Sequence, residues 1–69
     1  MTIAKIIEVL AEGDSIEAAI RAAVTEAAET VRGIKHVYAE GVQAIVEDDQ
    51  VVKYRVNAKL TFVVETERD

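Results

Sequence analysis

The chain has no cysteine, no tryptophan and a single histidine among its 69 residues. Without cysteine there is no disulfide and no thiolate metal site. One histidine excludes a histidine-rich metal site within one chain. Aromatic residues make up only 4% of the sequence, so the core has to be built from Ile, Val, Leu and Ala. No apolar run reaches the roughly 18 residues needed to cross a bilayer. No basic stretch followed by a hydrophobic segment opens the sequence, so a signal peptide is not expected and the cytoplasm is the expected location. The formal charge is −5, and the balance is acidic with no basic patch. That argues against nucleic acid and against anionic membranes as partners.

A chain this short is marginally stable alone. With disulfides and metal set aside, oligomerisation is the remaining way to stabilise it. The hydrophobic pattern leads to the same expectation. From Val51 to Glu65 apolar and polar residues alternate with the period of a half-buried strand. Tyr54, Val56, Ala58, Leu60, Phe62 and Val64 share one face; Lys53, Arg55, Asn57, Lys59 and Thr61 share the other. At roughly 3.3 Å per residue this strand is about 50 Å long. The one expected helix, near Ser15 to Arg32, would be about 27 Å long. A single helix cannot cover such a sheet, so the uncovered apolar surface is expected to meet another copy or another protein.

The remaining segments complete a β-α-β-β order within one domain spanning residues 1–69. Thr2 to Leu10 is apolar and β-branched and reads as the first strand. Gly13-Asp14-Ser15 breaks it. Asp14 with Glu17 has the spacing of a capping box, and Ser15 is an equally good cap. From Ile16 the chain is rich in Ala and Glu, and Ile16, Ala19, Ile20, Ala23, Ala27 and Val31 recur at helical spacing. Gly33 is placed to end that helix. Ile34 to Glu47 reads as the second strand, where Gly41 suggests a bulge or bend. Glu47-Asp48-Asp49-Gln50 forms the turn into the third. With the last strand in the centre, every pairing is antiparallel. The tail, Thr66 to Asp69, is polar and reads as frayed. The expected class is α+β, a three-stranded antiparallel sheet with its long hairpin wrapped partly around one helix.

No phosphate-binding glycine loop, nucleophile elbow or Ser-His-Asp set is present, so the chain does not read as an enzyme. Glu47-Asp48-Asp49 lacks the alternating ligands and central glycine of a calcium loop and reads as a solvated turn. His36 reads as a surface or interface histidine. On the second strand, Tyr38 shares its parity with His36, Glu40 and Val42, while Val37, Ala39, Gly41 and Gln43 take the other. A Tyr, a Glu, a Gln and an Arg on long strands of an oligomer suit a flat pocket for an aromatic ligand. The ring would stack on Tyr38 and polar groups would hold its edge. The competing reading makes Tyr38 an interface anchor and pairs Arg55 with Glu40 or another carboxylate.

The order and spacing of these elements resemble the dodecin family. The resemblance rests on Glu26-Ala27-Ala28-Glu29-Thr30-Val31-Arg32-Gly33-Ile34, on Tyr38-Ala39-Glu40, and on Tyr54-Arg55-Val56-Asn57-Ala58-Lys59-Leu60-Thr61-Phe62. It implies a homododecameric hollow shell with the helices outside and the sheets lining the interior. It further implies a non-enzymatic role in storing and buffering flavin, of the riboflavin or FMN type, stacked between tryptophans at two-fold interfaces. Tyr38 stands here at the place of that tryptophan. Arg55 stands at the place of a glutamine that meets the polar edge of the ring. The candidate flavin site is therefore Tyr38, Glu40, Gln43 and Arg55. Arginine offers five donors and no acceptor, so it cannot reproduce both halves of an amide's pairing; it suits a phosphate or carboxylate instead. The alternative is a flavin-free shell of the same kind that binds cations or other ions at its symmetry axes, with Glu12, Asp14, Glu47, Asp48 and Asp49 as candidate carboxylates. A third reading is a subunit whose exposed strands recruit a protein partner.

Overall fold

The computed structural model describes residues 2–65; the tail read as frayed, Thr66 to Asp69, lies outside them. Four elements follow in the order β1 (Thr2–Gly13), α1 (Ile16–Ala27), β2 (Ile34–Glu47) and β3 (Gln50–Glu65). The sheet has the order β1-β3-β2. Both pairings are antiparallel, as expected with β3 in the centre.

β1 runs three residues beyond the expected Leu10, because Ala11, Glu12 and Gly13 stay in register opposite Val56, Arg55 and Tyr54. Only Asp14 and Ser15 then separate β1 from the helix. Ser15 is the N-cap; its hydroxyl accepts a hydrogen bond from the Ala18 amide at 2.9 Å. That satisfies one of the helix's orphan N–H groups. Glu17 sits in the first turn and accepts from Arg21 at 2.8 Å, an i,i+4 pair on the solvent side.

The helix is shorter than expected. It stops at Ala27, and Glu29, Thr30 and Val31 close a tighter turn onto Glu26 and Ala27 carbonyls. The Thr30 hydroxyl also donates to the Ala27 carbonyl, a side-chain bond that competes with continued helix. Gly33 therefore ends no helix. Its φ of +79° turns the chain into β2, where its carbonyl accepts from the Val63 amide at 3.1 Å. A Cβ on Gly33 would stand 2.8 Å from the Val63 carbonyl oxygen, so both the dihedral and the space require glycine.

Ala19, Ala23 and Ala27 are buried and cluster with Val56, Ala58 and Leu60 of β3; Phe62 of the same strand face is buried too. The alanine stripe lets α1 sit close on the sheet. The helix packs mainly on β1 and β3, with Ile7, Val9, Ala11 and Val37 at the margins of the core. Twelve helical residues cover about 18 Å, against about 53 Å for the sixteen residues of β3. The molecule is 58 Å long but only 19 Å and 13 Å across. Beyond the reach of α1, Val42, Val46, Val51 and Val52 remain exposed along the hairpin.

Candidate functional site

The face of the sheet opposite α1 carries every residue proposed for the site. Register arranges it in rows of three across β1, β3 and β2. Glu8, Lys59 and Tyr38 form one row; Leu10, Asn57 and Gly41 the next; Glu12, Arg55 and Gln43 the third. Same-face residues on a strand are about 6.6 Å apart. Tyr38 and Arg55 therefore lie about 13 Å apart along the sheet, with the Asn57 row between them.

Simple alternation would have set Gln43 on the face opposite Tyr38. The structure places them together, and the reason is a bulge. Ala39 pairs with Ala58 and Gly41 with Asn57, leaving Glu40 as an extra residue on β2. One extra residue inverts the parity of all that follows. Gln43 thus joins Tyr38 on the open face opposite Arg55, while Val42 turns to the helix side opposite Val56. Two further register shifts fall at Ile34/His36 and Ile45/Val46. The bulge that Gly41 suggested is what brings the four candidate residues onto one surface.

Most charges near the candidate residues are paired among themselves. The Arg55 guanidinium donates through Nε at 3.0 Å and an Nη at 2.7 Å to the same Glu12 oxygen. Lys53 approaches the other Glu12 oxygen at 3.5 Å. Glu40, the bulged residue, meets Lys59 at 3.1 Å. Arg55 thus pairs with a carboxylate, as the competing reading had it, but with Glu12 of β1 rather than Glu40. The hydrogen bond from Arg55 holds the Glu12 carboxyl below the usual 4.5; nearby Lys53 adds to this and partial desolvation opposes it. The hydrogen bond to Glu40, reinforced by its charge, raises the Lys59 ammonium above its usual 10.5. These pairs are open to solvent and contribute little stability. What they do is orient the side chains.

Two of the groups on the face without such partners bear on ligand binding. Tyr38 is 64% exposed, an aromatic ring standing free on a strand whose other side packs toward the core. The second is Asn57, at the centre of the nine positions. Its Oδ1 is closed to solvent and accepts no hydrogen bond among the described residues. An orphaned acceptor of this kind costs about 1–3 kcal/mol. Sequence alternation placed Asn57 on this face but carried no sign of its isolation. Leu10 and Ile6, also on this face, are 70% and 65% exposed.

Elsewhere, a shallow cavity of about 310 Å³ is lined by Arg32, Gly33, Lys35 and Val63, toward the end of the sheet away from Arg55. Among the described residues no group of three or more His, Cys, Asp or Glu is arranged to hold a metal ion, and no helix is long and apolar enough to cross a membrane.

The dodecin family model matches residues 3–65. This chain belongs to the dodecin family. The dodecin fold is equally plain in solved structures. Dodecin from Streptomyces coelicolor superposes with a TM-score of 0.87 at 31% identity, over 96% of each chain. A variant of Thermus thermophilus dodecin gives 0.87 at 24% identity, covering 96% of this chain and all of that one. Dodecin from Streptomyces davaonensis gives 0.87 at 17% identity, over 94% of this chain and 97% of the other; these last two speak to the fold alone. No curated protein matches the sequence. Within this dodecin chain, Tyr38, Gln43 and Arg55 lie in the central rows of the open face, and Glu40 reaches the same face from its bulge.

Proposed function

We propose that this chain is the subunit of a non-enzymatic dodecameric shell that binds a flavin, of the riboflavin or FMN type, between subunits for sequestration and buffering. Membership of the dodecin family supports the assembly and the ligand class. The observation that carries the reading is the exposed Tyr38 ring on a face that the chain's own helix does not cover. A flat aromatic ligand stacks on such a ring. A second copy facing it would close the sandwich and cover the aliphatic residues left bare. In this reading Glu40, Gln43 and Arg55 hold the ligand's polar edge.

The test is a fluorescence titration of riboflavin and FMN with ligand-stripped, assembled protein. Saturable quenching is expected, and Tyr38→Trp should tighten binding because the larger indole stacks over more area. Unchanged fluorescence with the large assembly intact would reject flavin as the ligand. The second reading, a shell that holds cations at its axes, then takes its place. It has support of its own in the −5 charge on every chain, which a closed assembly has to screen or neutralise.

A further inference from the structure

The charges of this chain are sorted along its length. Arg21, Lys53, Arg55 and Lys59 each meet a carboxylate of their own chain. Arg32 and Lys35 are exposed and meet none among the described residues. Both line the cavity of about 310 Å³ beside Gly33, with Val63 on its wall. At the far end of the hairpin Glu47 pairs with Gln50, which leaves Asp48 and Asp49 as the two central residues of the turn. Both are exposed, and among the described residues no cation pairs with either. Behind them the Val46–Val51 pair is 56% and 52% exposed. A chain with a net charge of −5 thus keeps a cationic notch at one end and an acidic knob with apolar shoulders at the other.

Notch and knob cannot meet within one chain. Gln50 and Val63 lie on the same extended strand, about 43 Å apart at roughly 3.3 Å per residue. A second copy is needed to bring them together, and the proposed assembly has room for that contact. The contact across the open face joins like surfaces and closes at two chains. A dodecameric shell requires a further contact, between unlike surfaces. The turn itself keeps aspartates, at φ of 52° and 64°, where glycine or asparagine suits the backbone better, so its charge is retained against local strain.

We propose that the notch lined by Arg32, Lys35 and Val63 receives the Asp48-Asp49 turn of a second copy of this chain, head to tail. The inference rests on the shell reading and names the second of its contacts. The two carboxylates meet the guanidinium and the ammonium, while Val46 and Val51 lie against Val63. Charge complementarity selects which surfaces meet, and burial of the valines supplies the attraction. A contact between unlike surfaces propagates in one direction and closes into rings, which the open-face contact then joins.

Assembled wild-type protein is treated with a zero-length carbodiimide, which joins a lysine to a carboxylate in direct contact, and its peptides are read by mass spectrometry. Lys35 is expected to be joined to Asp48 or Asp49. The Lys59–Glu40 pair, 3.1 Å apart within one chain, is the internal standard. The standard link without a Lys35 link to the turn, in an intact large species, overturns the inference and leaves the shell reading standing. The companion variant is Asp48→Asn with Asp49→Asn, which removes the charge and keeps residues that a left-handed backbone accepts. Its size is followed by light scattering across a dilution series, because the same change relieves the turn and would confound an unfolding experiment. It is expected to fall back to a dimer and to need at least about tenfold more protein to form the large species, the scale of two exposed ion pairs per contact. Assembly at the wild-type concentration overturns the inference as well. If wild type forms no large species at all, the shell reading itself fails and this inference fails with it.

Discussion

At the scale of single residues, Glu12 joins Arg55 and Lys53 on the open face, and its ionisation can be followed through stability. Its carboxyl is held below 4.5 by the hydrogen bond from Arg55. A carboxyl with a lowered folded value stabilises the fold above its unfolded value and loses that contribution as the pH falls through the folded one. Wild type should therefore lose stability below about pH 4.5 more steeply than Glu12→Gln. Melting temperatures of the two proteins across the acid range check this; parallel acid limbs would mean that the Glu12–Arg55 pair is not maintained in solution. At neutral pH wild type should be the more stable by the same margin that it loses in acid, a small one because the pair is exposed. Neither the face on which Glu12 lies nor its partner was legible, since the expected strand ended at Leu10 and the structure carries it to Gly13. Arg55 is 43 residues away in sequence, and only the register of β1 against β3 puts them side by side.

At the scale of elements, the hairpin turn departs from the residues such turns usually use. Asp48 and Asp49 both have positive φ, 52° and 64°. Two central residues in the left-handed region make a tight turn whose twist matches that of the strands, and glycine or asparagine is preferred there. Asp49→Gly should stabilise the protein by about 1 kcal/mol, since it relieves a left-handed backbone at a non-glycine residue. Denaturant unfolding measures this, and an unchanged or lower midpoint would count against strain at the turn. The turn's position was readable from Glu47-Asp48-Asp49-Gln50. The end of the helix was not. Apolar spacing continues through Val31, yet α1 stops at Ala27, because Thr30 and Val31 bond back onto the Ala27 carbonyl and turn the chain toward Gly33. The bulge at Glu40 was signalled by Gly41, but its effect on parity depends on which residue of β3 pairs with which of β2.

At the scale of the whole molecule, the mismatch between one short helix and a sheet nearly three times its length governs behaviour. Leu60 is completely buried at the centre of the core. Leu60→Asp places a carboxylate without a partner on apolar surface, a substitution expected to cost several kcal/mol. If assembly supplies much of the stability, as proposed, this variant should lose the large species and its folded structure together, seen by light scattering and circular dichroism. A folded monomer of Leu60→Asp would show that a single chain stands without its partners. The valines exposed along the hairpin, Val42, Val46, Val51 and Val52, are the surfaces such partners would cover.

Strand alternation, helical spacing and turn residues sufficed for the β-α-β-β order, the central place of β3 and the split of its side chains into a core face and a polar face. Those features are local or follow from chain direction, so composition and period determine them. Tertiary structure alone decided which residues became neighbours on the open face. The Glu40 bulge carried Gln43 to the face of Tyr38, and the β1–β3 register gave Arg55 to Glu12. Each of these depends on the pairing of strands far apart in the sequence, and no local pattern records a register.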